Sequence, residues 1–155
     1  ITARLQAAGY PVSTTLIGAV VDEAYYRELL ALVDEYHIAD RLTFVRGLSQ
    51  AEIVDEFHHA TVFINPSDND GLDKVVLEAM ACGTVPLTAN RSFQDLLTPY
   101  GLQMQKGDID GYVAKVEELL ALDVVSYEQL AKQLHTEVVE HHSLSSLNHR
   151  LFPIS

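Results

Sequence analysis

Short apolar runs alternate along this chain with longer segments whose apolar residues recur at helical spacing. Residues 13–20, 41–46, 60–64 and 84–89 read as strands, and 101–105 as a short final one. Between them, residues 22–37 place Tyr26, Leu29, Leu30 and Val33 on one helical face. Ser49 with Glu52 forms a capping box that opens a helix running to His58. A further helix begins near Leu72 and ends at Gly83, and a short one over 93–97 is broken before Pro99. Asp108 caps a helix over 108–122, residues 127–141 form another, and the tail over 144–152 reads as a last short helix. Residues 1–9 read as the back end of a helix, so the chain is expected to be a fragment. Strands alternating with longer helices predict an α/β fold, a Rossmann-like parallel sheet with helices on both faces. No repeat, low-complexity segment or linker interrupts it, and the 155 residues read as a single domain.

Composition narrows the partners. With 10 Lys+Arg against 22 Asp+Glu the formal charge is −12, which repels nucleic acid and anionic membrane alike. A phosphate ligand must then be held by backbone dipoles or by groups outside the chain. No apolar run approaches the roughly 20 residues that span a bilayer, and no signal peptide is visible. A cytoplasmic chain is expected, with any peripheral membrane association of the full-length protein made outside this domain. The single cysteine, Cys82, excludes an internal disulfide and a cysteine-based zinc site.

The richest stretch runs from Asn65 to Gly83. An apolar strand empties there through a polar turn, Asn65-Pro66-Ser67-Asp68-Asn69-Asp70-Gly71, into a helix. Such strand–turn–helix junctions hold anionic or hydroxyl-rich ligands in α/β proteins. Asp70 precedes the helix and Glu78 lies inside it, with seven residues between. Eight positions are close to two turns of about 3.6 residues each, so both acids can face one ligand. Two carboxylates beside a helix N-terminus suit a molecule with hydroxyls and a phosphate, and a nucleotide sugar is one. Taken alone, Asp70 is also ordinary turn chemistry. Glu78, amid Val75, Val76, Leu77 and Met80, is either paired or turned to a ligand, because an unpaired buried carboxylate is costly. Strand ends also occur at Gly18 and at Gly47-Leu48, where small or turn-forming residues let backbone N–H groups approach a ligand.

These residues carry a family resemblance. Asp70-Gly71-Leu72 followed by Val76-Leu77-Glu78-Ala79-Met80-Ala81-Cys82-Gly83 resembles the signature of retaining GT-B glycosyltransferases of group 1, an acid, seven residues, Glu, then Ala-Met-Ala-x-Gly. Leu16-Ile17-Gly18, Asp40 to Gly47 and Ala60 to Ser67 resemble further family strands in the right order, so the likeness covers residues 14–122. The resemblance implies a nucleotide-sugar-binding domain, the C-terminal half of a two-domain enzyme. Its first strand and its N-terminal acceptor domain are expected upstream, together with a basic pair for the diphosphate. It implies that Glu78 binds the ribose hydroxyls and that Asp70 contacts the donor sugar. Gly71, Leu72, Asp73 and Lys74 would approach sugar and diphosphate at the helix N-terminus, and Gly18, Gly47 and Leu48 would lie near the base. The donor is a substrate, with no cofactor and no metal.

Three departures stand out. Asp70 occupies a position where Glu is usual. Asp73 stands where Gly or Pro is common, with Lys74 beside it either offsetting its charge or solvated. Arg91 to Asp95 lacks the family's glycine pair. Neither His58-His59 nor His141-His142 chelates naturally, since neighbours on a helix point about 100° apart. The expected function is donor binding for hexosyl transfer with retention, and the isolated chain is expected to be inactive. The alternatives are another GT-B enzyme, an epimerase or phosphorylase, and a non-catalytic domain that keeps the fold.

Overall fold

Threonine and apolar residues build two four-residue strands near the start of the chain, Thr14–Ile17 (β1) and Leu42–Val45 (β2). They pair in parallel, from Thr14 opposite Leu42 to Ile17 opposite Val45. The computed structural model describes residues 1–69 and 71–141. It divides into two units, Ile1–Ile53 and the residues from Val54 onward.

In the first unit a short helix, Thr2–Ala7 (α1), precedes β1, and Glu23–Glu35 (α2) connects β1 to β2. The crossover helix is what parallel pairing requires. Asp22 caps α2, its Oδ1 accepting from Ala24 N at 2.8 Å and Tyr25 N at 3.1 Å. The helix closes at His37, which takes a φ of 52° in the left-handed region, as chain-reversing residues after a helix do. Tyr26 meets Phe44 edge to face at 5.2 Å, and the Arg46 guanidinium lies 4.6 Å from the centre of the same Tyr26 ring. Leu5, Val33 and Ile38 are buried, and the Thr2 and Thr14 hydroxyls are bonded at 2.7 Å. The expected capping box is present at the head of Gln50–His59 (α3). Ser49 N and Ser49 Oγ both donate to Glu52 Oε2, at 2.8 and 2.6 Å. Those bonds hold the Glu52 carboxyl below its usual range.

The second unit holds Val62–Asn65 (β3), Lys74–Ala81 (α4) and Val85–Thr88 (β4). After them come Gln94–Leu97 (α5), Ile109–Leu120 (α6) and Val124–His141 (α7). β3 and β4 are parallel, Val62 opposite Val85 through Asn65 opposite Thr88. Every residue of β4 is buried, matching the continuous apolar run expected of a strand covered on both faces. Val76, Ala79 and Met80 of α4 join the core with Phe93, Leu97, Leu102, Tyr112, Val116, Leu119, Ala131, Leu134 and Val138. Two long-range bonds fasten α7: Tyr127 Oη donates to Thr61 O at 2.6 Å and His135 Nδ1 to Ala81 O at 2.8 Å.

The chain is therefore α/β with parallel strands and covering helices, the expected Rossmann-like class. The sequence reading and the structure differ at several elements. Residues 101–105 form a single parallel bridge, Gln103 to Thr88, in place of a strand. Thr88 N donates to Leu102 O and Thr88 O accepts from Met104 N along that edge. Two residues earlier the same edge belongs to Pro86, which has no N–H to continue the ladder. The helix expected near Leu72 begins at Lys74, because the preceding residues belong to a hydrogen-bonded turn. The last described helix starts at Val124, since Asp123 accepts from Ser126 N at 2.9 Å and caps it there. Pro99 sits within a 3-10 turn, Thr98–Tyr100, that continues past α5. The tail helix expected over 144–152 lies outside the described residues.

Candidate functional site

The carboxyl ends of β3 and β4 open onto the turn that leads into α4, and that turn is fastened by asparagine. Asn65, the last residue of β3, folds back so that its Oδ1 accepts from Ser67 N at 3.0 Å, an Asx turn that bends the chain away from the strand. Its Nδ2 donates to Asp73 Oδ2, also at 3.0 Å. Asn69 Nδ2 reaches Asp73 Oδ1 at 3.3 Å.

The third asparagine is the most buried. Asn90 follows β4, is 0% exposed, and places Nδ2 at 2.8 Å from Asn69 Oδ1, 2.7 Å from Gly71 O and 2.8 Å from Asp73 Oδ2. Its remaining polar atoms are also engaged. Asn90 N donates to Thr88 Oγ1 at 3.0 Å, and its Oδ1 accepts from Ser92 N at 2.8 Å. Bonds from Asn90, then from Asn65 and Asn69, hold the Asp73 carboxyl below the ordinary carboxylate range.

This arrangement decides what Asp73 does locally. It is the residue before α4 yet its side chain makes no cap bond to the first turn; both oxygens are turned to the asparagine amides. The first-turn N–H groups of α4 are thus left without a side-chain cap, the condition under which a helix N-terminus receives an anion. Gly71, Leu72 and Lys74 are exposed around that terminus. At the rim Lys106 Nζ meets Asp68 Oδ1 at 3.0 Å. That bond, with smaller contributions from the Lys106 and Arg91 charges, holds the Asp68 carboxyl low.

Glu78 occupies the second turn of α4 and is half-buried. Among the described residues its carboxylate has no hydrogen-bond or ion-pair partner. Behind it, burial and then the Glu78 charge push the Cys82 thiol up, so Cys82 packs as a weakly acidic thiol. Asp70 lies outside the described residues.

The turns named from the sequence in the first unit are brought side by side by the β1–β2 pairing. Gly18 follows β1 and its N–H is used in the ladder, donating to Val45 O at 3.1 Å. No heavy atom lies within 4 Å of where a Gly18 Cβ would stand, so what this position offers is open space. Gly47 follows β2 with a φ of 67°, and Leu48 behind it is half-buried. Among the described residues no group of three or more His, Cys, Asp or Glu is placed to hold a metal ion.

Sequence reasoning placed Asn65 and Asn69 in the turn without giving their side chains a role, and passed over Asn90. A signal was available: asparagines stand at the carboxyl ends of two neighbouring strands, where the backbone must turn and a side-chain amide can bond the turn.

The chain belongs to the glycosyl transferases group 1 family, whose model matches residues 2–136. A D-inositol 3-phosphate glycosyltransferase of Mycobacterium marinum is 30% identical over 95 residues, 59% of this chain and 20% of that protein. The enzyme of the same name from Mycolicibacterium smegmatis is 36% identical over 61 residues, 39% of this chain and 14% of that protein. The chain thus matches about a fifth or less of the length of these relatives. No described helix is long and apolar enough to cross a membrane.

Proposed function

We propose that this chain is the nucleotide-sugar donor-binding part of a retaining GT-B glycosyltransferase that moves a hexosyl group to an acceptor hydroxyl. The observation that carries the proposal is Glu78. A half-buried carboxylate with no protein donor among the described residues is a free acceptor pair, and vicinal ribose hydroxyls are the complementary donors. The uncapped N-terminus of α4 supports the rest. Its N–H groups and dipole would stabilise the negative charge that develops on the diphosphate as the glycosidic bond to it breaks. Asp70 is assigned to the donor sugar by the family motif. The diphosphate's remaining charge falls to basic residues elsewhere in the longer protein, given the −12 balance of this chain. Acceptor binding is assigned there too. No metal is required by this arrangement, because backbone dipoles and those cations would take its place.

Isothermal calorimetry on the full-length protein with UDP, GDP and ADP tests the reading. Glu78→Ala should weaken the preferred nucleotide by about tenfold or more, a loss of at least ~1.4 kcal/mol in line with removing charge-assisted hydrogen bonds. Unchanged affinity removes Glu78 from the site. Product analysis separates the reaction classes: release of nucleoside diphosphate with a glycosylated acceptor marks a transferase, whereas an isomerised donor or a sugar phosphate marks an epimerase or phosphorylase.

A further inference from the structure

We propose that Asn90 is a positioning residue of the donor site, whose buried amide ties Asn69, Gly71 and Asp73 together ahead of α4 and thereby governs turnover more than affinity for the nucleoside. The proposal rests on the glycosyltransferase reading above.

Asn90 is enclosed between Ala89 and Phe93, both buried, and is itself 0% exposed. Burying an amide there costs free energy that only hydrogen bonds offset. All three acceptors of its Nδ2, the Asn69 side chain, the Gly71 carbonyl and the Asp73 carboxylate, belong to one turn. None belongs to the apolar core. The amide carries two protons for three oxygens, so the turn is gathered around a single nitrogen atom.

Asp73 extends the fastening. It takes bonds from Asn65 at the end of β3 and from Asn90 after β4, so one carboxylate bridges the ends of both strands. The same residue immediately precedes α4. The position of the helix terminus relative to the sheet is therefore set through Asn90, although Asn90 need touch no substrate. A displacement of about 1 Å at a group near the reacting bond can cost on the order of a hundredfold in rate. Glu78 lies a full turn further along α4, among Val76, Ala79 and Met80, which are buried in the core, so its placement rests on that packing more than on the turn. Loss of Asn90 should thus separate catalysis from binding of the nucleoside.

The test uses the full-length protein with UDP-, GDP- and ADP-hexoses for turnover and uridine, guanosine and adenosine, which lack the diphosphate that α4 would hold, for calorimetry. Asn90→Ala is expected to lower kcat by about tenfold or more, while the Kd for the preferred nucleoside stays within about twofold. Asn90→Asp adds a pH signature, read with the folded fraction checked by circular dichroism at each pH. It sets two carboxyl groups against each other at hydrogen-bond distance, where the second is harder to ionise. Its kcat, divided by that of the wild type at the same pH, should rise as the medium is acidified from pH 8 towards pH 5 and a shared proton restores the bond. A folded Asn90→Ala protein with wild-type kcat overturns the proposal, as does a parallel loss of kcat and nucleoside affinity. Should Asn90→Ala fail to fold, the Asn90→Asp profile decides: recovery in acid supports the positioning role and a flat ratio overturns it. A wild-type protein that turns over none of the donors overturns the glycosyltransferase reading and this inference with it. Turnover by the wild type with no effect of either variant overturns the inference alone.

Discussion

The hydroxyl of Thr84 donates to the carbonyl oxygen of Phe57 across 2.6 Å, joining the residue just before β4 to the last turn of α3. Thr84 is 1% exposed, so no water replaces the bond when the hydroxyl is removed. Thr84→Val keeps the shape and should lower unfolding free energy by about 1–2 kcal/mol, as expected for losing a buried bond and under-satisfying its acceptor. Thr84→Ser should lose less. Urea denaturation followed by circular dichroism reads both, and a Val variant as stable as the wild type would show the bond to be dispensable.

Tyr112 predicts the opposite sign. Its ring is buried in α6, and among the described residues its hydroxyl has no hydrogen-bond partner. Tyr112→Phe should be neutral or stabilising, because it removes a desolvated polar atom at constant shape. The hydroxyl also makes stability fall in alkali. Burial pushes its pKa from 10.0 up to about 12, so between those values the folded state holds a proton that the unfolded chain has released. Unfolding free energy should drop by up to about 3 kcal/mol across that window from this group. The Phe variant should lose that part of the slope, and guanidinium titrations at pH 9, 10.5 and 12 would reveal whether it does.

Asp73 acts at the other end of the pH scale. Its folded pKa lies below the ordinary 3.8, chiefly through the Asn90 bond. Its contribution is complete above the unfolded value and is lost as pH falls through the folded one. Asp73→Asn should lower the melting temperature at pH 7 and much less at pH 3, so the two proteins converge in acid. Equal deficits at both pH values would show that the carboxylate charge is irrelevant to the turn.

The Cys82 thiol reports on Glu78. With burial and the neighbouring charge both raising its pKa, little thiolate is present at pH 8, and alkylation by iodoacetamide should be slower than for a solvent-exposed cysteine. Glu78→Gln removes the charge and should accelerate alkylation by a small factor, measured on the Cys82 peptide by mass spectrometry. No change would place the Glu78 charge out of reach of the sulfur.

What the sequence disclosed and what it withheld separate along one physical line. Ser49 and Glu52 are three residues apart, so their capping box is a local pattern, and it appears with the expected bonds. β4 is legible for a different reason: a run of buried apolar residues needs no partner to be recognised. The incomplete strand at Gln103 fails because pairing depends on the edge that Pro86 presents across the sheet. Asn90 is the clearest omission. Its partners lie 17 to 21 residues away in sequence, and an isolated asparagine after a strand carries no local mark of what it will bond. Glu78 stood out as polar within an apolar helix, and the structure leaves it without a partner among the described residues.

The two fastenings on the approach to α4, at Asp68 and at Asp73, differ in what kind of charge they use. Lys106 and Asp68 meet as exposed ions at the rim, and attraction between exposed ions fades once the Debye length falls to a few ångströms. Asp73 is held by the neutral amides of Asn65, Asn69 and Asn90, which added electrolyte scarcely touches. The turn therefore has a salt-labile rim and a salt-indifferent root, and ionic strength can loosen one without disturbing the other.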